Sequence, residues 1–193
     1  MFVEDAAVVL DELAVITRPG TETRRAETPS VAEALEPYRR LFRIEPPGTI
    51  DGGDVLRVGT TLYVGLSSRS SRDGVEQLRA IVAPNGYVVV AVEMAGCLHL
   101  KSAVTQVGSD TLLINRSWAN AGAFGDVELI DVDPAEPMGA NALLIGETVV
   151  YPFEYPRTRR RLEDRAIAVR TVDASELAKA EGGVTCCSLI CET

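Results

Sequence analysis

The stretches "VLRVGTTLYVG" (55–65) and "ALLIGETVVYP" (142–152) share an apolar pair, a Gly-X-Thr turn and a second β-run. A turn that short sends a strand back antiparallel along the one before it. Further β-runs, "AAVVLDELAVITR", "YVVVAVEM", "TLLINR" and "IAVRTVD", alternate with helical signals. "TPSVAEALEPYRRLF" opens on Thr28 with Pro29 in the first turn, and "SSRDGVEQLRAIVAPNGY" spaces its apolar residues by three and four. "PRTRRRLEDR" and "DASELAKAEG" predict two more helices, the second capped by Asp173 and stopped by Gly182 and Gly183. The pattern predicts a mixed α/β chain built from one ββαβ unit used more than once. Residues 115–138, which hold Trp118, lack a regular period and predict a long loop over a site.

At 193 residues the chain fits one domain, 1–193. Its 28 acidic against 19 basic residues give a net charge of −9, which repels a phosphate backbone and argues against nucleic acid. No apolar run reaches the roughly 18 to 20 residues that span a bilayer, and "MFVEDAAVVLDEL" lacks the basic start of a signal peptide. The expected location is the cytoplasm, with no membrane partner. Cys97 stands alone while Cys186, Cys187 and Cys191 crowd the last eight residues, a spacing that fits reduced thiols better than a disulfide framework or a zinc site.

Four groups of residues carry chemical promise. His99, the one histidine, lies in "GCLHLKSAV", which reads mostly as a buried strand, and Cys186 follows two glycines in "EGGVTCCSL". They read either as a nucleophile with its general acid/base or as a packed thiol and a hydrogen-bonded core histidine; composition alone favours the second. In "PPGTIDGGDVL", paired carboxylates flanking Gly-Gly suggest a sharp turn that aims Asp51 while Asp54 ties down the loop, or else a plain acidic turn. Glu4 and Asp5 start a strand, where solvated charges are common; near a thiol they would suit a cationic substrate. Arg24, Arg25 and Arg69 suit the anionic end of such a substrate, though each read singly is a surface charge.

Taken in order, "FVEDAAVV", "TRPGTETRR", "DGGDVL", "YVGLSSRS", "CLHLKSAVT" and "EGGVTCCSL" resemble the dimethylarginine dimethylaminohydrolases (dimethylargininases) of the guanidino-group modifying superfamily. The resemblance implies an α/β propeller of ββαβ modules, the pentein fold. By this resemblance the sequence given starts at the family's second module and is expected to span four of the five, the family's first module, with its lid loop and one contact to the substrate amine, being encoded upstream or absent. It also implies that Cys186 attacks the guanidinium carbon of an Nω-methylated arginine, asymmetric dimethylarginine or monomethylarginine, to form a covalent thiouronium. Cys187 matches a position filled by unrelated residues in the family. His99 then protonates the departing amine and activates water to release citrulline. By the same resemblance Asp51 and Asp5 hydrogen-bond the guanidinium with Glu4 in contact range, Arg24 and Arg69 hold the α-carboxylate, and the Ala180 carbonyl meets the α-amine. No cofactor and no metal are implied. The partner is a small guanidino molecule, and a homodimer is compatible with the family.

Two alternatives remain at this point. Arginine deiminases share the chemistry but usually carry an acid two residues after the histidine, where this chain has Lys101. The other is a catalytically impaired homologue that binds arginine-like ligands.

Overall fold

A computed structural model describes residues 2–191. A hairpin followed by a crossover to a parallel third strand occurs four times, and the crossover is the predicted α-helix in three copies and a 3₁₀ turn in the third. In the first, β1 (Ala7–Val9) pairs antiparallel with β2 (Leu13–Ile16), and α1 (Thr28–Leu35) crosses to β3 (Arg40–Arg43). The second is β4 (Val55–Val58), β5 (Thr61–Leu66), α2 (Arg72–Val82) and β6 (Val88–Glu93). A one-turn helix, α3 (Leu100–Ala103), leads into the third, β7 (Val104–Gly108), β8 (Thr111–Ile114) and β9 (Glu128–Asp131). The fourth is β10 (Leu143–Ile145), β11 (Thr148–Pro152), α4 (Pro156–Glu163) and β12 (Ala168–Val172), followed by α5 (Ser175–Lys179).

The two stretches that suggested repetition are the β4–β5 and β10–β11 hairpins. Their turns lie between Val58↔Thr61 and Ile145↔Thr148, led by Gly59 at φ 56° and Gly146 at φ 57°. A two-residue hairpin turn needs positive φ at that corner, which glycine adopts without strain.

The middle strands of the second and third modules are each sandwiched between two cores. Along β5, Leu62 and Val64 enter the core shared with the first module, while Tyr63 turns to the core shared with the third. Along β8, Leu112 and Ile114 face back to the second module and Leu113 faces the fourth. Side chains alternate faces along a strand, so burial on both sides produces the unbroken apolar runs seen in the sequence. The inner strands β1, β4, β7 and β10 line a central cavity of about 430 Å³, which residues 188–190 also reach. Among the described residues no helix is long and apolar enough to cross a membrane.

Several boundaries differ from expectation. The helix opened by Thr28 stops at Leu35, and Arg40–Arg43 become β3 because that strand completes the first sheet. The expected loop 115–138 holds a 3₁₀ turn at Ala121–Phe124 and the short strand β9. Its Trp118 accepts the Ala95 amide through its carbonyl and packs on Gly96, three residues before His99. The left-handed residue ending α5 is Glu181 (φ 59°), not a glycine, although Asp173 does accept the Ser175 amide at 3.0 Å. The expected span 1–193 reaches beyond the described residues at both ends.

Candidate active site

The Gly52–Asp54 turn organises the site. Asp54 is fully buried, and its Oδ2 accepts the hydroxyls of Ser67 and Ser70, each at 2.7 Å. Its Oδ1 accepts the Leu100 amide at the start of α3 at 3.0 Å. One carboxylate thereby joins three segments, and burial pushes its carboxyl pKa upward against the opposing pull of His99 and the two serines. Asp51 is 1% exposed; Oδ1 accepts the Gly20 amide at 2.8 Å, which leaves Oδ2 facing His99 Nε2 at 3.2 Å. The intervening glycines are needed for close approach. A Cβ on Gly52 would lie 2.0 Å from the Glu4 carbonyl, and one on Gly53 2.9 Å from His99 Nδ1.

His99 is not in a strand. It is the extended residue that begins α3, and its side chain is 13% exposed. The ring is buried among carboxylates, so its neighbours are polar and not the apolar ones of a strand core. Burial alone would lower its pKa, but the Asp51 hydrogen bond and the charges of Asp5, Asp54 and Asp51 outweigh it and raise the value.

Asp5 stands beside this pair. Its Oδ1 accepts the Gly53 amide at 2.9 Å and is 3.9 Å from His99 Nε2, while Oδ2 receives Arg24 Nη1 at 2.5 Å. Arg24 is further held by Glu27 and the Phe2 carbonyl, and one Nη1 proton has no acceptor among the described residues. Asp5, Asp51 and His99 also form a cluster with metal-ligating atoms within 4.8 Å of one another. Their oxygens are committed to Arg24, Gly20, Gly53 and the imidazole, a pattern of hydrogen bonding that accounts for the cluster without an ion.

Cys186 lies on the segment after α5, where its Sγ accepts the Gly183 amide at 3.3 Å and its carbonyl accepts the Glu4 amide at 3.2 Å. That backbone bond sets the thiol's residue next to Glu4 and Asp5. Burial, with the charges of Glu4 and Asp5, raises its pKa, so the resting group is a thiol. Cys187 is exposed. Glu4 is 6% exposed rather than solvated, and both its oxygens are taken, Oε1 by Lys101 Nζ at 2.7 Å and Oε2 by Thr185 Oγ1 at 2.8 Å.

The remaining expected residues lie further out. Arg69 is half-buried with no side-chain partner among the described residues, and its backbone packs against Gly20, whose amide holds Asp51. Arg25 is committed to the Pro19 carbonyl and Glu22. Ala180 is exposed at the end of α5. Two residues of the site have no motif in the sequence: Thr185, hidden in "GGVTCC", and Asn141, whose side chain bonds Thr185 and the Lys101 carbonyl. A lone asparagine inside "MGANALL" offers the one hint, a polar residue amid small apolar ones.

The arginine deiminase family profile matches residues 29–138. An N(G),N(G)-dimethylarginine dimethylaminohydrolase of Streptomyces coelicolor is 41% identical over 98% of this chain and 73% of its own length. The chain belongs to the dimethylarginine dimethylaminohydrolase family. These are hydrolases acting on the C–N bonds of amidines. Two solved dimethylarginine dimethylaminohydrolases superpose with a TM-score of 0.92 at 35% identity. One, from Pseudomonas aeruginosa, is a cysteine-to-serine variant complexed with citrulline, and 97% of this chain covers 74% of it. The other is a histidine-to-glycine variant in adduct with S-methyl-L-thiocitrulline, covered to 75% by 97% of this chain. The dimethylarginine dimethylaminohydrolase fold therefore extends over all four modules described above.

Proposed function

We propose that the protein hydrolyses Nω-methylated arginines to citrulline and methylamines through a covalent cysteine intermediate. The observation that carries this reading is the continuous chain of contacts from Cys186 through Glu4 and Asp5 to His99 and Asp51. A guanidinium is a resonance-stabilised, poor electrophile, so a site that transforms it needs carboxylates to orient it and a thiolate to attack it. Asp51 and Asp5 supply the acceptors, and the cation they draw in lowers the Cys186 pKa by Coulomb attraction.

With the cation bound, the Cys186 thiol loses its proton to solvent, and the thiolate adds to the guanidinium carbon, whose C=N π electrons move onto nitrogen. His99, whose protonated form its carboxylates favour, gives its proton to the methylated nitrogen as the C–N bond breaks. The amine leaves and a thiouronium remains. Neutral His99 then takes a proton from water, whose oxygen adds to the same carbon; the C–S bond breaks with its electron pair returning to sulfur, which takes up the remaining hydroxyl proton as citrulline departs. Arg69 takes the substrate α-carboxylate, assisted by the spare Nη1 proton of Arg24, and the Ala180 carbonyl takes the α-amine. The relatives bound to citrulline and S-methyl-L-thiocitrulline support a substrate of this shape.

The deiminase reading is favoured by the profile matched at 29–138 and opposed by Lys101, which is committed to Glu4. The deciding experiment offers the chain monomethylarginine, asymmetric dimethylarginine and arginine separately and follows citrulline together with the released amine. Citrulline and methylamine from the methylated substrates are expected. Citrulline from arginine alone would replace this reading with the deiminase one, and binding without product would replace it with a ligand-binding role.

A further inference from the structure

Four polar side chains around the reacting residues close a ring. Lys101 Nζ donates to Glu4 Oε1 at 2.7 Å, and Thr185 Oγ1 donates to Glu4 Oε2 at 2.8 Å. Asn141 Nδ2 donates to Thr185 Oγ1 at 3.0 Å and to the Lys101 carbonyl at 2.9 Å, while its Oδ1 accepts the Thr185 amide at 3.2 Å. The fit is tight, since a Cβ on Gly183 would lie 2.2 Å from Asn141 Oδ1. Three members are chain neighbours of reacting residues: Glu4 precedes Asp5, Thr185 precedes Cys186, and Lys101 follows His99 by two. The fourth, Asn141, leads into β10 and so brings in the last module.

We propose that Asn141 and Lys101 are positioning residues, fixing the Cys186 segment against α3 and thereby setting the nucleophile relative to His99. The inference rests on the reading of Cys186 and His99 as the reacting pair. Cys186 sits in a run of turns outside helix and strand, so its placement depends on such cross-links. An asparagine suits the junction because it donates and accepts at once; aspartate loses the donors and leucine loses both. Lys101 has a second task. It supplies the counter-charge to Glu4, a buried carboxylate beside a thiol that must ionise.

The test measures second-order labelling of Cys186 in the purified chain by a cationic haloacetamidine and a neutral haloacetamide, with the site identified by peptide mass spectrometry. Rates are expressed per folded molecule, from circular dichroism at the same temperature. Asn141→Ala and Lys101→Met are each expected to slow amidine labelling by roughly tenfold or more, as misplacement of a reacting group does. Lys101→Arg should restore the rate to within about threefold, since the charge persists. The double variant should be no slower than the slower single one, because members of one ring couple. A wild-type rate in Asn141→Ala, or fully multiplicative losses in the double variant, overturns the ring. A merely structural role would lower the melting temperature and leave the rate per folded molecule unchanged. If the wild-type chain is labelled elsewhere than at Cys186, the reading beneath the proposal fails and the proposal with it; equal labelling of Cys186 in wild type and variants sinks the positioning role alone.

Discussion

His99 Nε2 and Asp51 Oδ2 lie 3.2 Å apart, the imidazole 13% and the carboxylate 1% exposed. The Asp51 hydrogen bond fixes the orientation of the ring and favours its protonated form. Burial and the carboxylates around it raise the pKa of Cys186, and at His99, against burial, the carboxylates raise it as well, so the resting site favours the protonated form of each. A cationic ligand is then required to draw out the thiolate.

Replacing His99 by Gln should keep the fold and cut turnover by roughly 10² to 10⁴, the usual loss for general acid/base catalysis. Glutamine keeps a hydrogen bond to Asp51 but cannot move a proton. Quench mass spectrometry should then reveal a covalent adduct on Cys186. An equal loss of activity and of folded fraction would mean that His99 acts only in packing.

Cys186→Ser should abolish both turnover and amidine labelling, while Cys187→Ser should leave most of each. Cys186 contacts Gly183 and Glu4, whereas Cys187 is exposed. Similar losses from both substitutions would contradict the assignment.

Gly53→Ala should abolish labelling with little change in melting temperature. The new methyl would lie 2.8 Å from Asp5 Oδ1 and 2.9 Å from His99 Nδ1, so the reacting side chains must give way and not the core. Amidine labelling and thermal melting on one sample check this; wild-type labelling would show that the ring can move aside without consequence.

The raised pKa of His99 predicts a pH-dependent contribution to stability. A base whose folded pKa lies above its unfolded value, about 6.5, stabilises fully below that value and loses the contribution as pH rises through the folded one. The melting-temperature advantage of wild type over His99→Gln should therefore be largest under mildly acidic conditions and shrink toward alkaline ones. An advantage that grows with pH would reverse the assignment.

The modules were legible because glycine-led hairpins and apolar middle strands leave local signals, as in 55–65 and 142–152. Strand β3 and strand β9 were not, since Arg40–Arg43 and Glu128–Asp131 alternate weakly and gain their form from a parallel neighbour far back in the chain. Cys186, His99, Asp51 and Asp5 emerged through a family resemblance, whereas their own sequence context left His99 looking like a strand residue. Asp54 announced its anchoring role through its place beside Gly-Gly. The occupied oxygens of Glu4 could not be foreseen, because Lys101 and Thr185 reach it from 97 and 181 residues away.

Three of the cores lie between modules; a fourth, smaller one, of Ala7, Ala14, Ile16, Ala32 and Leu35, belongs to the first module alone. Leu62 and Val15 belong to one core, Tyr63 and Leu112 to the next, Leu113 and Tyr151 to the third. The second or the third unit cut from this chain would thus own two half-interiors and no whole one. The smallest piece able to hold itself together is a pair of neighbours, so unfolding should spread from boundary to boundary around the ring instead of blade by blade.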